Sequence, residues 1–310
     1  MSALPNRPRV AVVTDSTSGL SGAQLPGLDA VRIVPLLVQR GEQDFHENVD
    51  ITGAEVLSAL QSGEVLTTSR PAPDEFAAVY QELAAAGYEA AVSLHLSGKL
   101  SGTYDAAATA AKTAPIPVEV VDSKTAGMIL GFGANAAVEA CQAGAELVSA
   151  ENAGSAAAAT ARHMAKTATE VMERGRVLFY VDTLDFLHRG GRIGSISALL
   201  GTALAVKPLL TVADGHIELS EKVRTRRRAL ERLVARTLTS GKAILDDVPA
   251  VDIAVQHLGA PRAGEEALRQ ITAGLGSGVR HRVLTDAGAV VGAHVGPGVV
   301  AAIVAPVGCE

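Results

Sequence analysis

The sequence predicts an α/β protein with an N-terminal, mostly parallel sheet flanked by helices, followed by an α+β unit whose sheet is largely antiparallel. Three observations carry this reading. The first half alternates short β-branched runs with helical stretches, the rhythm of parallel strands joined by helical crossovers. The second half holds an Asp-Gly dipeptide between two apolar runs, a tight-hairpin signal that joins antiparallel neighbours. The chain has 310 residues, whereas one domain usually takes roughly 100–200. Two units are therefore expected, 1–153 and 154–310, separated by the change of rhythm rather than by a Pro/Gly/Ser linker.

Taken in order, strands are expected at 10–13, 32–36, 90–94 and 118–121, each apolar enough to be read as buried on both faces. Helices fill the gaps: 74–86 with Pro73 in its first turn, 100–113, and 125–143 stopped by Gly144. A second long helix is expected over 145–174, starting around 149–155 and ending at Gly175. Strand 177–181 then leads to a hairpin, 208–212 and 216–219, around Asp214-Gly215. A basic helix at 225–238, a strand at 251–257 and a helix at 261–275 follow, and 290–294 with 299–304 reads as a closing strand pair.

Composition narrows the function. Hydrophobic residues make up 48% of the chain but aromatics only 3%, with no Trp. The interior must be built from Ala, Val, Leu and Ile, which suits aliphatic ligands better than stacked rings. Net charge is −6, from 33 acidic against 27 basic residues, so no global field draws the chain to nucleic acid or an anionic membrane. The one basic cluster, Arg224, Arg226, Arg227, Arg228, Arg232 and Arg236, lies largely on one helix without interleaved aromatics, and reads first as a solvated helix face. Cys141 and Cys309 have neither metal-ligand nor redox spacing. That usage, and the lack of an apolar segment in the first eight residues, make the cytoplasm the expected compartment. The stretch 287–309 has no formal charge and exceeds the roughly 20 residues a membrane span needs. His294 and Gly296-Pro297-Gly298 break it midway, so no integral membrane segment is expected.

Nucleotide, metal and hydrolase signatures are missing. The runs 131–136 and 296–301 imitate a dinucleotide fingerprint, but one lies inside a helical stretch and the other leads into a strand. There is no Walker A sequence, no His-Glu-x-x-His and no Gly-x-Ser-x-Gly elbow. No metal and no cofactor are expected.

The informative pattern is one of hydroxyls. Three apolar strands run directly into small hydroxyl residues: Thr14-Asp15-Ser16-Thr17-Ser18, the segment from Ser97 to Thr103, and Val121-Asp122-Ser123. All three should empty onto the carboxyl edge of a parallel sheet, where such folds bind ligands. Thr67-Thr68-Ser69-Arg70-Pro71 precedes a helix and joins them. Hydroxyls with helix N-terminal amides make an anion cradle, although each segment alone reads first as a helix cap. At Ser101-Gly102 the glycine admits close approach of a ligand to backbone.

These residues resemble the DegV family along nearly the full length of the chain. Val13-Thr14-Asp15-Ser16-Thr17, Thr67-Thr68-Ser69-Arg70-Pro71, Leu100-Ser101-Gly102-Thr103-Tyr104, Val121-Asp122-Ser123, Leu187-His188-Arg189-Gly190-Gly191-Arg192-Ile193, Lys222-Val223-Arg224 and His294-Val295-Gly296-Pro297-Gly298 occur in the family's order. Arg70 replaces a common Gln, and Val295 a common Thr.

The resemblance implies a protein that binds a long-chain fatty acid in a cleft between its units and presents the carboxylate to a separate kinase subunit, without catalysing the step itself. Thr68 and Ser101 are then the carboxylate donors, with Thr67 and His294 completing the network and Ser69, Ser97, Gly102 and Gly296 as secondary pocket candidates. Arg192 and Arg224 would face the kinase. A monomer is the expected state. Two other readings stay open: an esterase or acyl-transfer enzyme with Ser101 activated by His294 and oriented by Asp15 or Asp122, and a lipid-sensing regulator.

Overall fold

The structure, a computed structural model, describes residues 8–23, 25–27, 30–143, 153–199 and 207–308. Among these the chain runs β1 (Val10–Asp15), β2 (Val31–Val34), β3 (Leu37–Arg40), β4 (Gln43–His46), α1 (Gly53–Gln61), β5 (Leu66–Ser69), α2 (Pro73–Ala85), β6 (Ala90–His95), α3 (Thr103–Ala111), β7 (Val118–Asp122), α4 (Met128–Ala143), α5 (Ala153–Arg174), β8 (Arg176–Tyr180), α6 (Asp185–Arg189), β9 (Lys207–Ala213), β10 (His216–Val223), α7 (Arg226–Leu245), β11 (Val251–His257), α8 (Pro261–Leu275), β12 (Val279–Asp286), α9 (Ala289–Val295) and β13 (Val300–Pro306).

The expected parallel sheet forms in the order β2-β1-β6-β7. Side chains alternate across it. Ala11, Val13 and Ala91 meet Phe76, Tyr80 and Ala107 of α2 and α3, while Val10, Val12 and Val92 join the core that holds Met128 and Phe132 of α4 and Met164 of α5. Only β1 and β6 are buried on both faces. The runs 32–36 and 118–121 instead supply edge strands, which leave Arg32 and Glu119 exposed.

A six-stranded sheet, β10-β9-β8-β13-β11-β12, is antiparallel except for its β11–β12 pair. Helices α7 and α8 cover its outer face through Leu233 and Ile271. Its inner face, with Val177, Phe179, Leu210 and Ile303, shares the core of α4 and α5. The α4/α5 layer thus separates the two sheets, and α5 packs on β6 and β7 as well as on β13. The hairpin is as expected: Asp214 and Gly215 have φ of 47° and 83°, the paired positive values of a type I′ turn.

One strand expectation is overturned. Residues 290–294 lie in helix α9, so no closing pair forms, and β13 inserts between β8 and β11. The run Ala-Val-Val-Gly-Ala-His-Val is buried at nearly every position, so neither a period of 2 nor of 3.6 shows in it. Its ends are set by Gly288 and Gly296, with φ of 81° and 79°, and by Glu47, whose carboxylate accepts the Val290 N–H at 2.9 Å.

Other elements differ in extent. Helices expected from 100 and 125 begin at Thr103 and Met128, and the basic helix runs on to Leu245. The small antiparallel sheet β4-β3-β5, with α1, α6 and β12, has no counterpart in the sequence expectations; β5 occupies the Thr67–Thr68 segment read there only as a helix approach. Gly144 and 145–152, where a helix stop and start were expected, lie outside the described residues, as does Cys309. Among the described residues no helix is long and apolar enough to cross a membrane.

Candidate functional site

A cavity of about 870 Å³, counted to its mouth, opens between the carboxyl edge of the parallel sheet and the inner face of the six-stranded sheet. Leu36, Leu96, Leu100, Val177, Phe179, Val212, Ile217, Val290, Val295, Val299 and Ala301 make its apolar walls. The polar side chains on it are Thr17, Thr68, Ser101, Arg192, Gln256 and His294.

Strand alternation sorts the two threonines of β5. Thr68 pairs with the fully buried Val38 and points inward, where its Oγ1 lies 2.7 Å from His294 Nε2. Thr67 pairs with Gln39, is exposed and donates to the Gln39 Oε1 at 3.0 Å, away from the cavity. Ser101 stands in the turn before α3, its Oγ 2.9 Å from the buried Thr103 Oγ1. Each cavity hydroxyl therefore has a second polar atom behind it. If His294 Nε2–H and Thr103 O–H donate backwards, the Thr68 and Ser101 protons are both left to donate to an anion.

His294 sits on the last turn of α9, against Gly190, where an added Cβ would come within 2.2 Å of Nδ1. Burial and, secondarily, the Arg192 guanidinium push its pKa down to about 4, so it is neutral at pH 7. Arg192, expected on a partner-facing surface, instead lines the cavity half-buried, donating to the Leu100 carbonyl at 2.9 Å and the Gly190 carbonyl at 2.5 Å. Burial pushes the guanidinium pKa down as well. Arg224 is exposed, and its neighbours on α7 pair locally: Arg226 with Asp182, Arg227 and Arg228 with Glu231, Arg232 and Arg236 with Glu221.

The secondary candidates lie around the cavity rather than on its wall. Ser97 is buried and donates to the Gly215 carbonyl at 2.9 Å, tying the β9–β10 hairpin to the first sheet. Gly102 makes room for Arg70, whose Nη1 would lie 2.4 Å from an added Cβ. Arg70 itself is exposed and outside the cavity lining. Gly296 ends α9 against the Phe186 ring, and Ser69 is half-buried beside Thr68. Gln256 and Glu47 were not anticipated; a glutamine directly after the apolar run Ile253-Ala254-Val255 was the available signal for the first.

The arrangement for a serine nucleophile is not assembled on Ser101. His294 bonds Thr68, and its Nδ1 has no partner. Asp122 accepts from the Gly98 and Lys124 N–H groups. Asp15 lies 3.1 Å from His95 Nδ1, and His95 Nε2 lies 2.7 Å from Ser93; this row has the residue types of a triad but is fully buried in the core.

A family model described as "Uncharacterised protein, DegV family" matches residues 9–307. A DegV domain-containing protein of Streptomyces coelicolor is 43% identical over 301 residues, covering 95% of this chain and 98% of its own length. One from Deinococcus radiodurans is 34% identical over 308 residues, covering 96% and 98%. Among solved structures, a fatty-acid-binding DegV family protein from Thermus thermophilus superposes with a TM-score of 0.79 at 32% identity, covering 96% of this chain and 99% of its own. DegV from Bacillus subtilis, described as a fatty acid binding protein, gives 0.80 at 29% identity, with the same coverage. The span of the family model and the identity to full-length relatives agree with the fold and the ordered segments above: this chain belongs to the DegV family.

Proposed function

We propose that this chain binds a long-chain fatty acid with its carboxylate between Thr68 and Ser101 and its tail along the apolar walls, and presents the carboxylate to a separate kinase. The observation that carries the reading is an aliphatic cavity lined by two rearward-supported hydroxyls and a neutral histidine. A buried carboxylate is costly without donors. Thr68 and Ser101 supply two, and Arg192 adds a nearby cation held by backbone carbonyls rather than by an acid. Residues 1–153 contribute the hydroxyl edge, and residues 154–310 the apolar sheet face and His294. Thr68 and Ser101 are half-buried, so the head group lies near the mouth, within reach of a second protein; the exposed Arg224 is the candidate contact for it. The reading requires no cofactor and no metal, and treats the chain as a cytoplasmic monomer.

Organic extraction of purified protein followed by mass spectrometry tests it. A stoichiometric long-chain acid, or reloading of one after delipidation, is expected. Protein that carries no acyl chain and accepts none refutes the proposal.

A further inference from the structure

Resting on the fatty-acid reading, we infer that the cavity holds a second polar subsite, formed by Gln256 and Thr17, that selects acyl chains bearing a mid-chain hydroxyl group. Gln256 is 3% exposed on β11 and lines the cavity. The orientation of its amide is set by chemistry: Oε1 accepts the Met128 N–H, at the start of α4, at 2.8 Å, so the NH₂ must occupy the other arm. Two glycines with positive φ make room for it. A Cβ at Gly127 would stand 2.6 Å from Oε1, and one at Gly19 2.7 Å from Nε2. Yet Nε2 has no hydrogen-bond partner, an exception native interiors rarely tolerate without a ligand or water to meet it.

Thr17 supplies the complement. It is 2% exposed and also lines the cavity. Its hydroxyl donates to Asp15 Oδ1 at 2.5 Å, and its N–H donates to the same oxygen at 3.1 Å. The proton of Thr17 is thus committed inward, and Oγ1 offers only lone pairs to the cavity. A free N–H donor with a pure acceptor matches a hydroxyl, which accepts from one and donates to the other. A carboxylate, having no proton to give, does not match.

Helix α9 and the contacts at its first turn link the proposed subsite to the head group. His294 stands on its last turn. Its first turn is capped by Glu47, which is tied through Leu36 to Ser16, the residue before Thr17: Glu47 N–H donates to Leu36 O at 2.9 Å, and Leu36 N–H to Ser16 Oγ at 3.0 Å. The two anchored positions, Val290 and His294, lie four residues or about 6 Å of helix rise apart, which sets the proposed hydroxyl several carbons from the carboxylate.

The test compares stearic acid with 9-, 10- and 12-hydroxystearic acids, by displacement of a fluorescent fatty acid from the delipidated full chain. At least one hydroxy acid is expected to bind roughly fivefold more tightly than stearate, the worth of one net hydrogen bond. Gln256→Met and Thr17→Val are each expected to abolish that preference, read as the ratio of hydroxystearate to stearate affinity within each variant. The wild-type series decides by itself if a variant does not fold. Hydroxy acids that all bind no better than stearate overturn the inference and leave fatty-acid binding standing, as does a preference unchanged in both variants. Failure of every acid to bind overturns the fatty-acid reading and this inference with it.

Discussion

Replacing Thr68 by Val removes the hydroxyl while keeping the β-branched shape that β5 packs against Val38. In the proposed complex that hydroxyl donates to a carboxylate and accepts from His294 Nε2, 2.7 Å away. A hydrogen bond to a charged group contributes about 1.5–3 kcal/mol. At 1.4 kcal/mol per tenfold change, its loss weakens binding by about 10- to 150-fold. A second cost falls on the empty protein. Nδ1 of His294 already lacks a partner, and Thr68→Val orphans Nε2 too, at about 1–3 kcal/mol for a buried group. Thr67→Val is the control on the same strand, because Thr67 faces Gln39 and not the cavity. Its affinity should stay within about twofold, as exposed substitutions usually stay within ±0.5 kcal/mol. Titration of delipidated protein with a fluorescent long-chain acid measures affinity, and thermal melts measure the stability loss. Equal affinity in Thr68→Val and wild type, or an equal loss in both threonine variants, refutes the placement of the carboxylate.

Three further outcomes are expected. Because the His294 pKa is lowered to about 4 from 6.5, its stabilising contribution is complete above pH 6.5 and is lost as pH falls from 6.5 towards 4. The loss amounts to about 3 kcal/mol; a pH series of denaturant melts should show it, and His294→Gln should flatten that part of the curve. Arg192→Gln removes the cation that assists burial in lowering that pKa, so the His294 imidazole signal followed by NMR should titrate at higher pH than in wild type, and acid binding should weaken; an unmoved midpoint would separate Arg192 from the site. Ala301→Leu places added methyl groups in the cavity. It should cut acid affinity by tenfold or more, about 1.4 kcal/mol, without lowering the melting temperature of the empty protein, and unchanged loading would show that the tail runs elsewhere.

The parallel sheet, the hairpin and the cavity hydroxyls Thr68 and Ser101 are legible in the chain because each is written in local patterns. Apolar runs ending in Ser or Thr mark strand termini, and Asp214-Gly215 adopts the positive φ pair its residue types favour. The helices with clear starts, at Pro73 and Pro261, fell where Pro at the first turn put them. The rest depends on contacts between segments far apart in the chain. Helix α9 is capped by Glu47 from 243 residues away, a contact that no window of local sequence contains. Edge and interior strands of one sheet are told apart only once their neighbours are known, as Arg32 and Glu119 show. Thr67 and Thr68 are identical in type, and the register of β5 against β3 sends one to Gln39 and the other to His294. The position of Arg192 on the cavity wall follows from where the Leu100 and Gly190 carbonyls meet across the fold, because a guanidinium goes where its acceptors are, and those are set by packing rather than by residue type.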